Sequence, residues 1–198
     1  MTDQLTIPRP ATRSAGAADV PALAETLAAA FHDDPVFRYW IADDAQRREI
    51  SRAFFGVMVR AGIDAGVVHT TCDLGCGAIW SPPGSEDDEG LGHALAAATG
   101  EHAERLFMVL EHMEAQHPTA AHWYLAILGT RPERQGQGLG SAAMRPVLDT
   151  CDATGSPAYL EATTARSAEL YARHGFEVVG EIRLPDGPSI LPMWREPR

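Results

Sequence analysis

Read for the spacing of its apolar residues, the chain changes period several times. After a lead over residues 5–14, extended and broken by Pro8 and Pro10, Leu23, Leu27, Ala30 and Phe31 recur at helical spacing. Asp19 reads as the N-cap of that helix and Pro21 fits its first turn. His32-Asp33-Asp34-Pro35 closes it, and residues 36–41 form a short aromatic patch. A second helix is expected from Asp43 or Asp44 to about Gly62, with Ile50, Phe54, Val57 and Met58 on one face. The period then falls towards two, and short strands are expected over residues 67–71 and 77–80, joined around Asp73-Leu74-Gly75. A loop carrying Glu86, Asp87, Asp88 and Glu89 leads into a helical stretch over residues 91–116, broken near Thr99-Gly100.

The rest alternates cleanly. A strand over residues 122–130, a helix over 137–154, a strand over 158–163, a helix over 165–174 and a hairpin over 176–194 follow in order. Strand–helix–strand–helix alternation implies an α/β fold with a mixed, partly parallel central sheet and helices on its faces. At 198 residues, one domain spanning the chain is expected.

Composition narrows the function. The net charge is −11, from 27 acids against 16 bases. That balance opposes the phosphate contacts that dominate nucleic-acid affinity, and it suits a cationic substrate. No apolar run reaches the roughly eighteen residues needed to cross a bilayer, and the start lacks a secretory pattern, so a cytoplasmic protein is expected with no membrane partner. Cys72, Cys76 and Cys151 make an odd number with no second pair for a zinc site, and the eight histidines form no helical metal motif. A metal-free protein is expected.

The most informative stretch joins the strand at Trp123 to the helix opening at Gly136-Gln137-Gly138-Leu139-Gly140-Ser141, through Arg131-Pro132-Glu133-Arg134. Glycines let backbone N–H groups approach a phosphate, and a helix N-terminus adds its positive dipole end. Arg134 offers a charge-assisted contact. A plain capping turn is one reading. A dinucleotide fingerprint is another, because Glu161 lies about twenty residues on. However, the four intervening residues displace the glycines from the strand end, and no matching half-fold precedes them. A Walker loop lacks its Gly-Lys-Ser/Thr.

Gln135-Gly136-Gln137-Gly138-Leu139-Gly140 also resembles the acetyl-CoA pyrophosphate loop of the GNAT acetyltransferases, Gln/Arg-x-x-Gly-x-Gly/Ala at a helix start. A second match follows in the right order: Tyr171-Ala172-Arg173-His174-Gly175-Phe176 is similar to the family's helix ending in Tyr-x-x-x-Gly-Phe. Together the two place a cofactor-binding core at about residues 121–180. The resemblance implies a GNAT fold and acetyl-CoA as co-substrate. It assigns Leu128, Gly129 and Thr130 to the pantetheine arm and acetyl carbonyl, and Arg134, Gln135, Gly136, Gln137, Gly138, Leu139, Gly140 and Ser141 to the diphosphate. Ser167 stands where relatives often carry Asn, a shorter side chain with fewer donors.

The same resemblance implies direct attack of an amine on the thioester, with Tyr171 as the acid for the departing thiolate. For the general base, Glu161 on a central strand and His122 at the preceding strand's start are both candidates. Gly129 fits a bulge or a close backbone approach. The acceptor is expected to be a small-molecule amine, received near Asp33, Asp34, Phe37, Tyr39 and Trp40. Helix capping and core packing are alternative fates for that patch. A non-catalytic acetyl-CoA-binding module and an enzyme acting on protein or peptide amines remain open, as does a homodimer.

Overall fold

The computed structural model describes residues 10–85 and 89–198. The first part of the expected extended lead and the loop acids Glu86, Asp87 and Asp88 lie outside the described residues. The sheet contains β1 (Thr12–Ser14), β2 (Val68–Thr71), β3 (Cys76–Ser81), β4 (Trp123–Thr130), β5 (Ala158–Ala162), β6 (Glu177–Val178), β7 (Ile182–Arg183) and β8 (Ser189–Arg195). Its order is β1-β2-β3-β4-β5-β8-β6, with β7 also paired to β8. The β4–β5 pair is parallel and the other pairings are antiparallel, so the expected mixed sheet is mostly antiparallel. The expected C-terminal hairpin is more elaborate, because β8 lies between β5 on one side and β6 and β7 on the other.

Helices cover both faces. On one lie α1 (Val20–Phe31), α2 (Pro35–Trp40), α3 (Asp44–Asp64), α4 (Glu89–Thr99) and α5 (Ala103–Glu114), sharing a core with Val68, Ile79, Ile127 and Ile190. On the other, α6 (Leu139–Thr154) and α7 (Ala165–Arg173) pack with Ala78, Trp80, Leu125 and Leu160. The aromatic patch after α1 is itself a helix. Asp34 caps α2, its Oδ1 accepting from Val36 N at 2.8 Å and Phe37 N at 3.3 Å. Asp19 precedes α1 but does not cap it with its side chain. Its carboxylate accepts instead from Gly16 N at 2.8 Å and from Arg13. The stretch expected as helix over 91–116 breaks where anticipated, with a 3-10 turn at Gly100–His102 that starts on a glycine of φ 54°.

The register of β4 against β3 slips once. Ile79 faces Ile127 while Trp80 faces Leu125, which leaves Ala126 as the extra residue of a bulge. A one-residue insertion reverses the faces of everything beyond it. Leu125 therefore packs towards α6, whereas Ile127, two residues on, packs towards α1. The bulge expected at Gly129 is thus at Ala126. Gly129 serves the other purpose expected of it: a Cβ there would stand 2.7 Å from Leu27 Cδ2 and 3.0 Å from Ala30 Cβ. Replacing Gly129 with Ala forces α1 off the sheet, and urea denaturation should show a loss of about 1–3 kcal/mol.

Candidate active site

Parallel pairing of β4 with β5 runs from Trp123–Ala158 to Leu125–Leu160 and ends there. Beyond that pair β4 continues to Thr130 with β3 as its remaining partner. A cleft of ≈ 1390 Å³ opens at this parting, and Leu128, Gly129, Thr130, Glu161 and Tyr171 all line it.

At one end of the cleft lies the glycine-rich turn. A 3-10 turn over Pro132–Arg134 separates it from β4, which removes the strand-end geometry a dinucleotide fingerprint needs. Gly136 and Gly138 take φ values of 76° and 78° with open space around them, a backbone that favours glycine. The left-handed residues delay the helix to Leu139, two residues later than expected. Residues 135–138 are exposed. Among the described residues, the amides of Gly136 to Ser141 have no internal acceptor; the first engaged amide is Ala142, bonding Gly138 O at 3.0 Å. This is a nest of donors at the N-terminus of a 16-residue helix.

Side chains brace the turn more than they line it. Gln135 donates to Thr130 O at 3.3 Å and accepts from Arg166 at 2.8 Å. Arg134 donates to Gln137 Oε1 at 3.0 Å and is ion-paired with Asp73. Ser141 Oγ lies 2.8 Å from His174 Nε2. Ser167 is largely committed: its hydroxyl donates to Thr164 O at 2.8 Å and accepts from Thr164 N at 3.2 Å in a capping box. Arg134, Arg166 and Arg173 give this end of the cleft a local positive charge.

Tyr171 stands deeper, 7% exposed. Its hydroxyl makes no hydrogen bond among the described residues. Burial first, then neighbouring Cys76 and Asp34, push the phenol above its ordinary range, so it stays protonated at neutral pH.

At the other end the two base candidates come together, with groups the sequence did not flag. The Glu161 side chain is 2% exposed, and its Oε1 has no hydrogen-bond partner. His117 Nδ1 is 3.7 Å from that oxygen, and His117 Nε2 is 3.1 Å from His122 Nε2. His122 also contacts Ala120 O through Nδ1 at 2.6 Å, and burial holds its pKa below the usual value. The rings of Tyr124 and Tyr159 close around His117, each 4.9 Å away between centroids. Both phenols are pushed up, by burial first and by the Glu161 carboxylate next. His117, Tyr124 and Tyr159 escaped the sequence reading because none lies in a spaced motif. His117 sits past the end of α5, 44 positions before Glu161.

Residues 69–176 match the Acetyltransferase (GNAT) family. The chain belongs to that family. It is 28% identical over 208 residues to an uncharacterized N-acetyltransferase of Schizosaccharomyces pombe, covering 94% of this chain and 83% of the relative. Among solved structures it is similar to a histone acetyltransferase HPA2 and related acetyltransferase from Corynebacterium glutamicum, at 28% identity and a TM-score of 0.72, over 96% of this chain and 98% of that one. Arylalkylamine N-acetyltransferase 2 from Aedes aegypti shares the fold at 13% identity and a TM-score of 0.67, over 96% and 100% of the two chains.

Within this GNAT chain the expected acceptor patch divides. Asp33, Asp34, Phe37 and Trp40 line the cleft. Tyr39 is tied elsewhere, its hydroxyl on Pro185 O at 2.5 Å and Arg105 4.3 Å above its ring. Asp34 has both oxygens engaged, Oδ1 by the α2 amides and Oδ2 by Thr163.

His122, His174 and His69 all have pKa values lowered by burial. Their unfolded values lie near ~6.5, so below that pH the unfolded chain binds more protons. The stability they contribute is present above ~6.5 and is lost as pH falls through the folded values. Denaturant midpoints should therefore drop as pH falls below about 6.5, and His122→Asn should flatten that slope.

Proposed function

We propose that this chain is an acetyl-CoA-dependent N-acetyltransferase, acting in the cytoplasm on the primary amine of a small molecule. The observation that carries the reading is the run of unengaged amides from Gly136 to Ser141 at the start of α6, beside the parting of β4 and β5. These donors fit a diphosphate, and Arg173 with the turn-bracing Arg134 and Arg166 line the same end of the cleft. The unpaired edge of β4 at Leu128, Gly129 and Thr130 would take the pantetheine arm and polarise the acetyl carbonyl.

The reaction then needs two proton movements. The amine nitrogen forms its bond to the carbonyl carbon, the C–S bond breaks, and the sulfur leaves with the electron pair. Tyr171 delivers a proton to that sulfur. Glu161, with His117 and His122 beside it, receives the proton lost from nitrogen. The family supplies acetyl-CoA as the expected co-substrate. We also read residues 19–31, 123–142, 160–161 and 185–188 as resembling puromycin N-acetyltransferase, which argues kinship and leaves the acceptor unnamed. The wall that α4 and α5 raise over the cleft, through Leu95, Leu106 and Leu110, also favours an enclosed acceptor over a protein tail.

Thiol release from acetyl-CoA in the presence of diverse amines tests the proposal. Release that depends on a small amine is the expected result. Binding of CoA with no release on any amine would favour a non-catalytic module. Tyr171→Phe should lower kcat about 100-fold with little change in KM. Gly138→Ala places a Cβ in the left-handed region at a cost of about 1–2 kcal/mol, and calorimetry should show CoA affinity weakened about 5–30-fold.

A further inference from the structure

The acidic end of the cleft continues into an apolar chamber that the diphosphate reading leaves unused. Phe37 and Trp40 of α2, Phe54 of α3, and Leu106, Leu110 and Met113 of α5 all face the cleft. They belong to one packed group, with the Phe37 ring 5.4 Å from Trp40 and 5.7 Å from Phe54, both edge-on. Leu106, Leu110 and Met113 recur at helical spacing on the face of α5 that leads towards His117. At a rise of about 1.5 Å per residue, that apolar face begins at Met113, roughly 1.5 Å before the helix terminus at Glu114, and reaches back roughly 12 Å to Leu106. The wall therefore starts within one small molecule's length of the imidazole and carboxylate cluster.

Charge in the chamber is sparse. Asp34 is consumed by capping α2 and by Thr163. Asp33 and Glu114 are exposed at the rim. The buried acidic atom left over is Glu161 Oε1, which accepts no hydrogen bond and has His117 Nδ1 at ion-pair distance, 3.7 Å. A buried carboxylate oxygen that accepts no hydrogen bond is costly and is relieved by a donor. One such atom suits one ammonium group. A polyamine would bring further cations against phenylalanine, tryptophan and leucine walls, and a peptide would bring unpaired backbone groups there.

Resting on the proposed acetyltransferase activity, we infer that the acceptor is a primary amine joined by a short linker to an aromatic or bulky alkyl body. The amine sits at Glu161 and His117, and the body lies against Phe37, Trp40, Leu110 and Met113. The cationic residues of the cleft cluster at the other end, at Arg134, Arg166 and Arg173, and leave this end to a positively charged substrate. Burial of a ring in such a chamber is worth enough to separate acceptors by two orders of magnitude.

The test is steady-state thiol release by the full chain with acetyl-CoA and matched acceptors: 2-phenylethylamine, tryptamine and hexylamine against spermidine, agmatine and a peptide with a free N-terminus. The inference predicts kcat/KM at least about 100-fold higher for the first three. Leu110→Asp, which puts a charge into the wall, should raise KM for tryptamine at least about 10-fold while leaving CoA affinity unchanged. Met113→Ala is a gentler second variant on the same wall, should Leu110→Asp fail to fold, and should raise the same KM several-fold. Preference for spermidine, agmatine or the peptide, or equal KM values in wild type and Met113→Ala, would overturn the apolar-acceptor assignment and leave the transferase standing. No release with any acceptor, despite CoA binding, would overturn the transferase reading itself.

Discussion

Two parallel strands that pair over three residues and then separate set the terms for everything else in this molecule. Past Leu125 and Leu160, β4 keeps its hydrogen bonds to β3 and gives up those to β5. An unpaired strand edge in the middle of a sheet exposes backbone donors and acceptors that must find other partners. The bulge at Ala126 sits at that parting and turns the rest of β4 by one face. From that single slip, Gly129 comes to lie under α1, and Leu128 and Thr130 face the side of α6. The chain then leaves β4 through Pro132–Arg134 and enters the glycine turn at the mouth of the same gap. The donors at the helix start and the open strand edge are parts of one construction.

That construction also resolves an apparent conflict of charge. A chain of net charge −11 is a poor host for a polyanion by long-range forces. At physiological salt, however, charges more than about 8 Å apart are largely screened, so local groups decide. Around the turn the local groups are the amides of Gly136 to Ser141, the α6 dipole, and Arg134, Arg166 and Arg173. His174 feels the same field: after burial, the nearby Arg145, Arg173, Arg195 and Arg198 hold its proton affinity down. At this end Asp73 is taken up by its ion pair with Arg134, while Glu161 lies at the opposite end of the cleft.

What could be read from the sequence was whatever depends on near neighbours. Helix periods, the break at Gly100, the glycine turn and the Tyr171–Phe176 ending are local patterns, and the structure has helices and turns where they indicated. Element ends moved by a residue or two where a left-handed glycine or a cap decided them, as at Leu139 and Asp34. Residues 36–41 read only as an aromatic patch because six residues are too few to show a helical period, and the Asp34 cap supplies what the period could not. Contacts across long separations left no trace. Arg47 is one case: 3% exposed, it holds the carbonyls of His32 at 2.8 Å and Ile41 at 2.9 Å and so fixes the corner that carries α2. His117 is another, since its value lies in meeting Glu161 and His122 from different elements.

The Glu161 cluster bears on function because it is poor structural engineering for a sheet. On a central strand, with the side chain 2% exposed and one oxygen accepting no hydrogen bond, a carboxylate carries a desolvation cost of about 1–3 kcal/mol that leucine would avoid. The Tyr159 hydroxyl, also buried and unpartnered, adds to that cost. Two imidazoles 3.1 Å apart compound it, because protonating either one places a cation beside the other. Glu161, His117 and His122 are ionisable side chains that line the cleft, and this supports the proposed base role. A buried set of proton-handling groups held at a local cost to stability is what general base chemistry requires of a fold.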